Sequence, residues 1–136
     1  MEAVVLDTDV FSFFFKQDTR AAHYEADIRG RQICLCFQTV AEVKAWAIER
    51  KWGRDRRAGL DRALGHYLAL PYDAQMADAW ARTTAGRKRM GQPIECGDAW
   101  IAAVALRHDI RLLTHNSRYY RDIPGLKLVT HPDPKP

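Results

Sequence analysis

The chain has 136 residues, a length that fits one domain with a sizeable core and is too short for two. With 47% hydrophobic and 28% charged residues it has the composition of a folded globular protein, and no apolar run approaches the ~20 residues that span a bilayer. The formal net charge of +4 is a moderate basic excess, which is compatible with a polyanionic partner but does not require one.

Short apolar runs alternate along the chain with segments of helical periodicity. The apolar runs predict strands at 3–6, 32–35, 111–114 and 127–130. The periodic segments predict helices at 8–15, 19–29, 39–50, 55–68 and 74–89, and one that starts near residue 97. Strands of this kind separated by helices predict the α/β class, as a three-layer α/β/α sandwich around a short, mostly parallel sheet.

Residues 1–131 are expected to form the domain, and 132–136, which are rich in proline, a disordered tail. The amino terminus lacks the basic region of a secretory signal, and the three cysteines have no metal-site spacing. We therefore expect a cytoplasmic protein with small buried cysteines. Two basic runs are interpreted either as solvated helix faces or as phosphate-contacting surfaces: Arg54, Arg56, Arg57 and Arg87, Lys88, Arg89.

Asp7 and Asn116 each follow a predicted strand. The carboxyl ends of parallel strands share one edge of a sheet, where ligands bind, so these side chains are expected to lie close together. Asp7 is also a good helix cap, and Asn116 is also a good turn residue. Asp9 adds a second carboxylate nearby, and the Thr114 hydroxyl is placed to orient a carboxylate.

Two further acids stand at the edge of apolar helical patterns. Glu42 flanks an apolar face, and the alternative to a role in a site is an exposed surface position. Asp98 stands at a helix start, and the alternative there is a helix cap. Carboxylates near a core are costly unless they are paired, hydrogen-bonded or bound to a cation. Together with Asp7 and Asn116 they predict a site for a hard divalent cation. His115 has no visible partner in the sequence and is interpreted as incidental.

Four motifs occur in a fixed order: Leu-Asp-Thr-Asp at 6–9, Thr-Val-Ala-Glu-Val at 39–43, Gly-Asp-Ala-Trp-Ile-Ala-Ala at 97–103 and Leu-Leu-Thr-His-Asn-Ser-Arg-Tyr-Tyr at 112–120. With these motifs the chain resembles the PIN-domain ribonucleases, and most of all the VapC-type toxins of bacterial toxin–antitoxin modules. The resemblance extends over residues 3–131, and it implies an endoribonuclease that depends on Mg²⁺ or Mn²⁺, with RNA as substrate and a cognate antitoxin as partner.

The resemblance also assigns roles to residues of this chain. It makes Asp7, Glu42 and Asp98 the acidic set, and Asn116 the fourth catalytic position. It implies that Asp7 and Asp98 hold the metal, with Glu42 acting through a water molecule. Thr8, Asp9 and Thr114 match supporting positions, and the two basic runs become weak candidates for RNA contact.

The chain departs from the family pattern at two positions. Asn116 stands where relatives often carry aspartate, and Asp9 stands where many carry asparagine or serine, so the number of bound metals is left open. Two other functions also stay open. One is a phosphatase of the haloacid-dehalogenase type, with Asp7 as nucleophile in the Asp-Thr-Asp motif. The other is a non-catalytic module that binds RNA or protein.

The first predicted helix contains four phenylalanines: Phe11, Phe13, Phe14 and Phe15. One helix cannot direct all four towards a single core. We interpret the surplus rings as a protein interface, either between two copies of the chain in a homodimer or with the antitoxin.

Overall fold

The computed structural model describes residues 2–133, which form a five-stranded parallel sheet flanked by helices. The strands are β1 (Ala3–Leu6), β2 (Gln32–Cys36), β3 (Leu68–Leu70), β4 (Arg111–Leu113) and β5 (Leu128–Val129). The helices are α1 (Thr8–Phe15), α2 (Glu25–Ile28), α3 (Phe37–Glu49), α4 (Arg54–Leu64), α5 (Ala74–Arg89) and α6 (Cys96–His108), with 3-10 helices at Thr19–Tyr24 and Ser117–Tyr120. In this described part of the chain, no helix is long and apolar enough to cross a membrane.

The two faces of the sheet are covered by different helices. Successive side chains of a strand point to opposite faces, so Val4 and Leu6 of β1 face one way and Val5 the other. The first face packs against α1, the Thr19–Tyr24 helix, α3 and α4, and the second packs against α5 and α6. This arrangement confirms the predicted α/β/α sandwich with a parallel sheet.

One strand was not predicted, and two helices differ from the prediction by more than two residues or in type. The helix predicted at 55–68 ends at Leu64, and β3 follows it at the sheet edge beside β2. Three residues are too few to show a strand period, so the sequence pattern did not reveal β3. The helix predicted at 19–29 is a 3-10 helix followed by the single-turn α2. Cys34 and Cys36 are buried as expected, but Cys96 is exposed.

The phenylalanines of α1 all pack against the core of the chain, and their interpretation as an interface stays a prediction for the half-buried pair, Phe14 and Phe15. Phe11 and Phe13 are buried, and Phe14 and Phe15 are half-buried against the same core. Phe15 stacks on Trp52 with 5.8 Å between ring centroids, and Phe11 meets Tyr67 edge-on at 5.4 Å. Helix α1 lies between the sheet and other helices of the first face, so rings on more than one side of it find partners.

Near the end of the described chain, His131 and Asp133 contact the domain. The His131 backbone amide donates a hydrogen bond to the Tyr24 hydroxyl at 3.1 Å, and the His131 imidazole lies 2.7 Å from an Asp27 carboxylate oxygen. Asp133 lies 3.1 Å from the His115 ring. His131, the last residue of the predicted domain, is therefore held by hydrogen bonds, whereas 132 and 133 are exposed. The disorder predicted for 132–136 stays a prediction, and 134–136 lie outside the described residues.

The close packing of α6 on the sheet predicts that Ala102→Leu destabilises the protein. Ala102 is fully buried between α6 and the second face of the sheet, and added methylenes in a packed core cost about 1–3 kcal/mol. Urea unfolding should show this loss in the free energy of unfolding. The control Ala81→Leu, on the exposed side of α5, should stay within about 0.5 kcal/mol of the wild type. Equal stability of the two variants would contradict the close packing of Ala102 against the sheet.

Candidate functional site

The site lies at the carboxyl ends of the central strands. β1 pairs with β2 on one side and with β4 on the other, so the strand order reverses beside β1. In open parallel sheets, ligands bind in the crevice at such a reversal. Asp7 follows β1, and Thr114 and Asn116 follow β4, so the structure brings these three residues to one crevice, as their positions after strands predicted.

Asp7 joins three parts of the site through its backbone and carboxylate. Its backbone amide donates to the Leu113 carbonyl at 3.0 Å and so extends the pairing of β1 with β4. Carboxylate Oδ1 accepts from the Val10 amide at 2.8 Å, which caps α1, and Oδ2 accepts from the Thr114 hydroxyl at 2.6 Å. The Asp7 carboxylate therefore caps α1 and is at the same time part of the site.

Burial makes the Asp7 carboxylate difficult to ionise. Only 4% of the residue is exposed, and burial raises its pKa from 3.8 to about 7. The hydrogen bonds from Thr114 and Val10 lower that pKa, but the negative charges of Asp9 and Asp98 raise it further. A bound cation would relieve this repulsion and favour the ionised form.

Glu42 is held by its own helix and by the start of α6. The Gln38 side-chain amide donates to Glu42 Oε1 at 2.9 Å, one helical turn away on α3. A β-carbon added at Gly97 would lie 3.0 Å from Gln38 Nε2 and 3.1 Å from Glu42 Oε1. Glycine at this position therefore lets α6 approach the carboxylate of Glu42.

Asp98 stands in the first turn of α6, where it is half-buried and does not serve as the cap. Burial raises its pKa, and the charges of Glu95, Glu42 and Asp9 raise it as well. The Tyr120 hydroxyl donates to Asp98 Oδ1 over a long 3.4 Å and lowers that pKa. Burial and the nearby carboxylates raise the pKa of Tyr120, so its hydroxyl keeps the proton that it donates.

Asn116 and Asp9 form a pair at the rim. The Asn116 side-chain nitrogen donates to Asp9 Oδ2 at 2.6 Å, and the Asn116 backbone amide donates to the Thr114 hydroxyl oxygen at 3.1 Å. Asp9 is thereby oriented by the neutral residue that stands at the fourth position. Thr8 is buried nearby, and its hydroxyl lies 3.0 Å from that of Thr39.

These side chains enclose one small cavity of about 90 Å³. Its walls include the predicted catalytic residues Asp7, Glu42, Asp98 and Asn116. Two predicted supporting residues, Thr8 and Asp9, also line it. The remaining wall residues had no predicted role: Ile101, Tyr119 and Tyr120. Thr114 contacts the cavity through its hydrogen bond to Asp7. The structure therefore brings all the predicted acids together.

The donor set of the cavity fits a hard cation that keeps part of its water shell. Carboxylate and amide oxygens are the ligands that Mg²⁺ and Mn²⁺ prefer, and Mg²⁺ is usually held by one or two carboxylates with several waters. Within residues 2–133, no three histidine, cysteine or acidic side chains are close enough to hold one ion directly. The types of donor in the cavity fit such a cation, with fewer than three of these side chains as direct ligands in the described part of the chain.

The profile of the PIN domain family matches residues 4–125, which is most of the chain. The chain belongs to the PIN domain family. This match confirms the resemblance to PIN domains that the four sequence motifs indicated. A comparison with curated protein sequences finds no match to this PIN domain.

Several solved structures with the same fold belong to toxin–antitoxin systems. VapBC2 from Rickettsia felis, bound to a DNA fragment from its promoter, has a TM-score of 0.84 at 19% identity, with 95% of this chain and 98% of that chain covered. DNA-bound VapBC from Salmonella typhimurium gives 0.78 at 24% identity, with coverages of 96% and 98%. VapBC-5 from Mycobacterium tuberculosis gives 0.71 at 25% identity, with coverages of 96% and 100%. The PIN fold of this chain thus extends over the length of these relatives.

Arg87 is not available for RNA contact, contrary to the sequence-based expectation. It is buried, and its guanidinium donates to three backbone carbonyls: Gln92 at 2.7 Å, Tyr119 at 2.9 Å and Arg121 at 3.0 Å. Arg87 therefore anchors the Ser117–Tyr120 helix, which supplies two walls of the cavity. The other predicted basic residues are exposed, and none of them lines the cavity: Arg54, Arg56, Arg57, Lys88 and Arg89.

Sequence reasoning missed four residues that position the acids. The spacing of Gln38 and Glu42, four residues apart on a helix, was a signal for their contact. Gly97 and Tyr120 lie inside motifs that were recognised, but their contacts with α3 and with Asp98 are not visible in a single sequence. Arg87 gave no signal at all, because its three acceptors are backbone carbonyls of other segments.

His115 has a structural role in the PIN domain. Its Nδ1 lies 2.7 Å from the Tyr24 hydroxyl, and Phe13 meets its ring edge-on at 5.1 Å. Its Nε2 lies 3.1 Å from an Asp133 carboxylate oxygen, in an orientation that makes no hydrogen bond. The ring is thus surrounded by packing contacts and does not line the cavity.

The raised pKa of Asp7 predicts that Asp7→Asn changes how stability depends on pH. The ionised carboxylate is disfavoured in the folded state, so the wild type should lose stability as pH rises from about 4 to above 7, by up to about 4 kcal/mol in the absence of divalent cations. The side-chain amide of the variant can keep both hydrogen-bonded contacts and has no charge, so the variant should lack this loss. Urea unfolding in EDTA at pH 4 and pH 8 measures both, and parallel stability curves would contradict the burial of a carboxylate.

Proposed function

We propose that this PIN domain is an endoribonuclease that depends on Mg²⁺ or Mn²⁺ and acts in the cytoplasm as the toxin of a toxin–antitoxin pair. The observation that supports it most strongly is the convergence of carboxylates from β1, α3 and α6 on one cavity at the strand-order reversal. Burial raises the pKa of Asp7 there to about 7, and a site with this much unpaired negative charge fits a cation better than any other ligand.

In this proposal Asp7 and Asp98 hold the cation. A bound divalent cation supplies polarisation of the scissile phosphate and a lowered pKa for a water molecule. Glu42 has one oxygen fixed by Gln38, and its Oε2 accepts no protein hydrogen bond within residues 2–133. In this proposal that oxygen orients the attacking water and takes its proton. Asn116 holds Asp9 at the rim, beside the entry to the cavity.

Basic side chains have to contact the RNA, because the acidic cavity by itself repels phosphate. The exposed basic residues Arg54, Arg56, Arg57, Lys88 and Arg89 remain candidates for this contact. Their charges would strengthen binding most at low salt, since surface charges are screened within about 10 Å at 0.1 M salt.

The toxin role is proposed from the structural relatives, which are VapBC complexes of toxin and antitoxin. We infer that this chain has a cognate antitoxin that blocks the acidic cavity, and that it acts as a homodimer. Co-expression with the product of the neighbouring reading frame, followed by size-exclusion chromatography and light scattering, tests both the complex and the dimer.

The grouping of Asp7 with Glu42 and Asp98 disfavours the phosphatase alternative. That alternative uses Asp7 as the nucleophile and gives Glu42, which lines the same cavity, no role. The non-catalytic alternative is decided by titrating Mn²⁺ calorimetrically, because an inactive pocket should bind none at physiological concentrations.

Asp98→Asn is expected to lower metal-dependent RNA cleavage by roughly 100-fold or more, since it removes a charge that the cation requires. The amide oxygen can still accept from Tyr120, so circular dichroism should show an unchanged fold. The matched control, Asp78→Asn on the exposed side of α5, should cleave as the wild type does. Full activity of purified Asp98→Asn would overturn the assignment.

Gly97→Ala is expected to lower cleavage by roughly 10-fold, because the new methyl group displaces Gln38 and Glu42, and misplacement by about 1 Å is enough for such a loss. Gly86→Ala is the matched control: it lies inside α5 with no atom near the added carbon, and should raise the free energy of unfolding by about 0.5–1 kcal/mol at unchanged activity. Wild-type kinetics of Gly97→Ala would exclude this role for Gly97.

A further inference from the structure

A second cavity adjoins the acidic one. It has a volume of about 450 Å³, within the range of sites that bind small molecules, and it lies between α1, α3 and the segment after β4. Asp9 and Asn116 line both cavities, so the two are neighbours that share this pair as a common wall. We call the second cavity the Trp46 cleft, after the aromatic residue on its α3 wall.

The carboxylates around the Trp46 cleft are already engaged. Asp18 accepts from the Arg20 side chain at 2.8 and 3.0 Å, and Asp9 accepts from Asn116. Asp133 lies 3.1 Å from the His115 ring. The same contacts engage Arg20, whose guanidinium also lies 4.2 Å from the centre of the Phe13 ring. Asp18 and Arg20 therefore neutralise each other, whereas Asp9 and Asp133 keep their negative charges.

Two cations of the Trp46 cleft have no acidic partner within residues 2–133: Lys16 and Arg50. Both lie over the Trp46 ring, with the Lys16 ammonium 5.7 Å and the Arg50 guanidinium 4.9 Å from its centre. In the net charge of the cleft these two cations offset Asp9 and Asp133, and both cations lie beside an aromatic ring. The acidic cavity, by contrast, carries unpaired negative charge.

An aromatic ring flanked by free cations is suited to a nucleotide. A base of any identity can stack on the ring once one of these long, exposed cations moves from the ring to a phosphate of the strand. Stacking of this kind requires a base that is not already stacked in a duplex. The cleft therefore selects a single strand by its geometry.

We propose that the Trp46 cleft binds the nucleotide next to the scissile phosphate of a single-stranded RNA, with its base on Trp46 and its phosphates at Lys16 and Arg50. This inference rests on the proposed function, which places the scissile phosphate in the adjoining acidic cavity. It makes Asp9 and Asn116 the boundary that the strand crosses.

The test uses the full chain with Asp98→Asn, so that bound RNA is not cleaved, and a fluorescein-labelled hexauridine read by anisotropy. Adding Trp46→Leu should weaken binding by roughly 10-fold, and Trp46→Phe, which keeps a stacking face, should restore most of it. Removing both cations, by Lys16→Ala with Arg50→Ala, should lower the slope of log affinity against log salt by about 1.4, the value for two phosphates on a single strand.

The matched control removes two exposed cations at the opposite edge of the sheet, by Arg29→Ala with Lys127→Ala. It should leave the salt slope within about 0.3 of the parent, since neither residue lies near the cleft. Trp46 also packs on the core, which is a reason for Trp46→Leu to unfold. Lys16 and Arg50 lie on the surface, so their variants keep the test valid in that case.

Three results would overturn the proposal. The first is hexauridine binding that is unchanged by Trp46→Leu and by loss of both cations. The second is no binding of hexauridine to the parent. The third is an octaglutamate peptide that binds as tightly as hexauridine and with the same dependence on Trp46, which would assign the cleft to an acidic protein segment. Wild-type cleavage of total RNA with Mn²⁺ tests the proposed function separately: cleavage without Trp46-dependent binding rejects only the cleft, and Trp46-dependent binding without cleavage rejects only the nuclease.

Discussion

The burial of one carboxylate, that of Asp7, is the constraint on which the site depends. It ends the central strand, caps α1 through Val10 and accepts from Thr114 of the neighbouring strand. These contacts make it part of the fold, yet burial raises its pKa to about 7, so that it remains unsatisfied as an anion. A group that is structurally fixed and electrostatically strained is suited to hold a cation, because the cation removes the strain without moving the side chain.

The other acids depend on a layer of neutral and basic residues behind them. Gln38 and Gly97 position Glu42, and Tyr120 contacts Asp98. The helix that carries Tyr120 is anchored by the buried Arg87, which binds backbone carbonyls at three points. The geometry of the site is therefore determined partly on α5, which contributes no acid to it. Removal of this support would displace the carboxylates without changing any of them.

Comparison of the predictions with the fold shows which patterns carry information. Runs such as Ala3–Leu6 and the long periodic segment at 74–89 were assigned correctly, because each is long enough to show its period. β3 was missed because a three-residue edge strand has no such signal. The number of phenylalanines in α1 suggested a surplus for one core, whereas all four rings contact it because α1 is packed on more than one side. Arg87 was misassigned because a charge run does not reveal which member turns inward.

The sequence by itself determined the class of the fold, the family and the identity of the acids, because strand periods, motif order and residue types are local properties. Only the tertiary structure decided that these acids share one cavity of about 90 Å³, that Asn116 holds Asp9, and that the free cations lie beside Trp46. The physical reason is distance along the chain. Contacts between residues tens of positions apart depend on strand order and helix packing, and a pattern read within one segment contains neither.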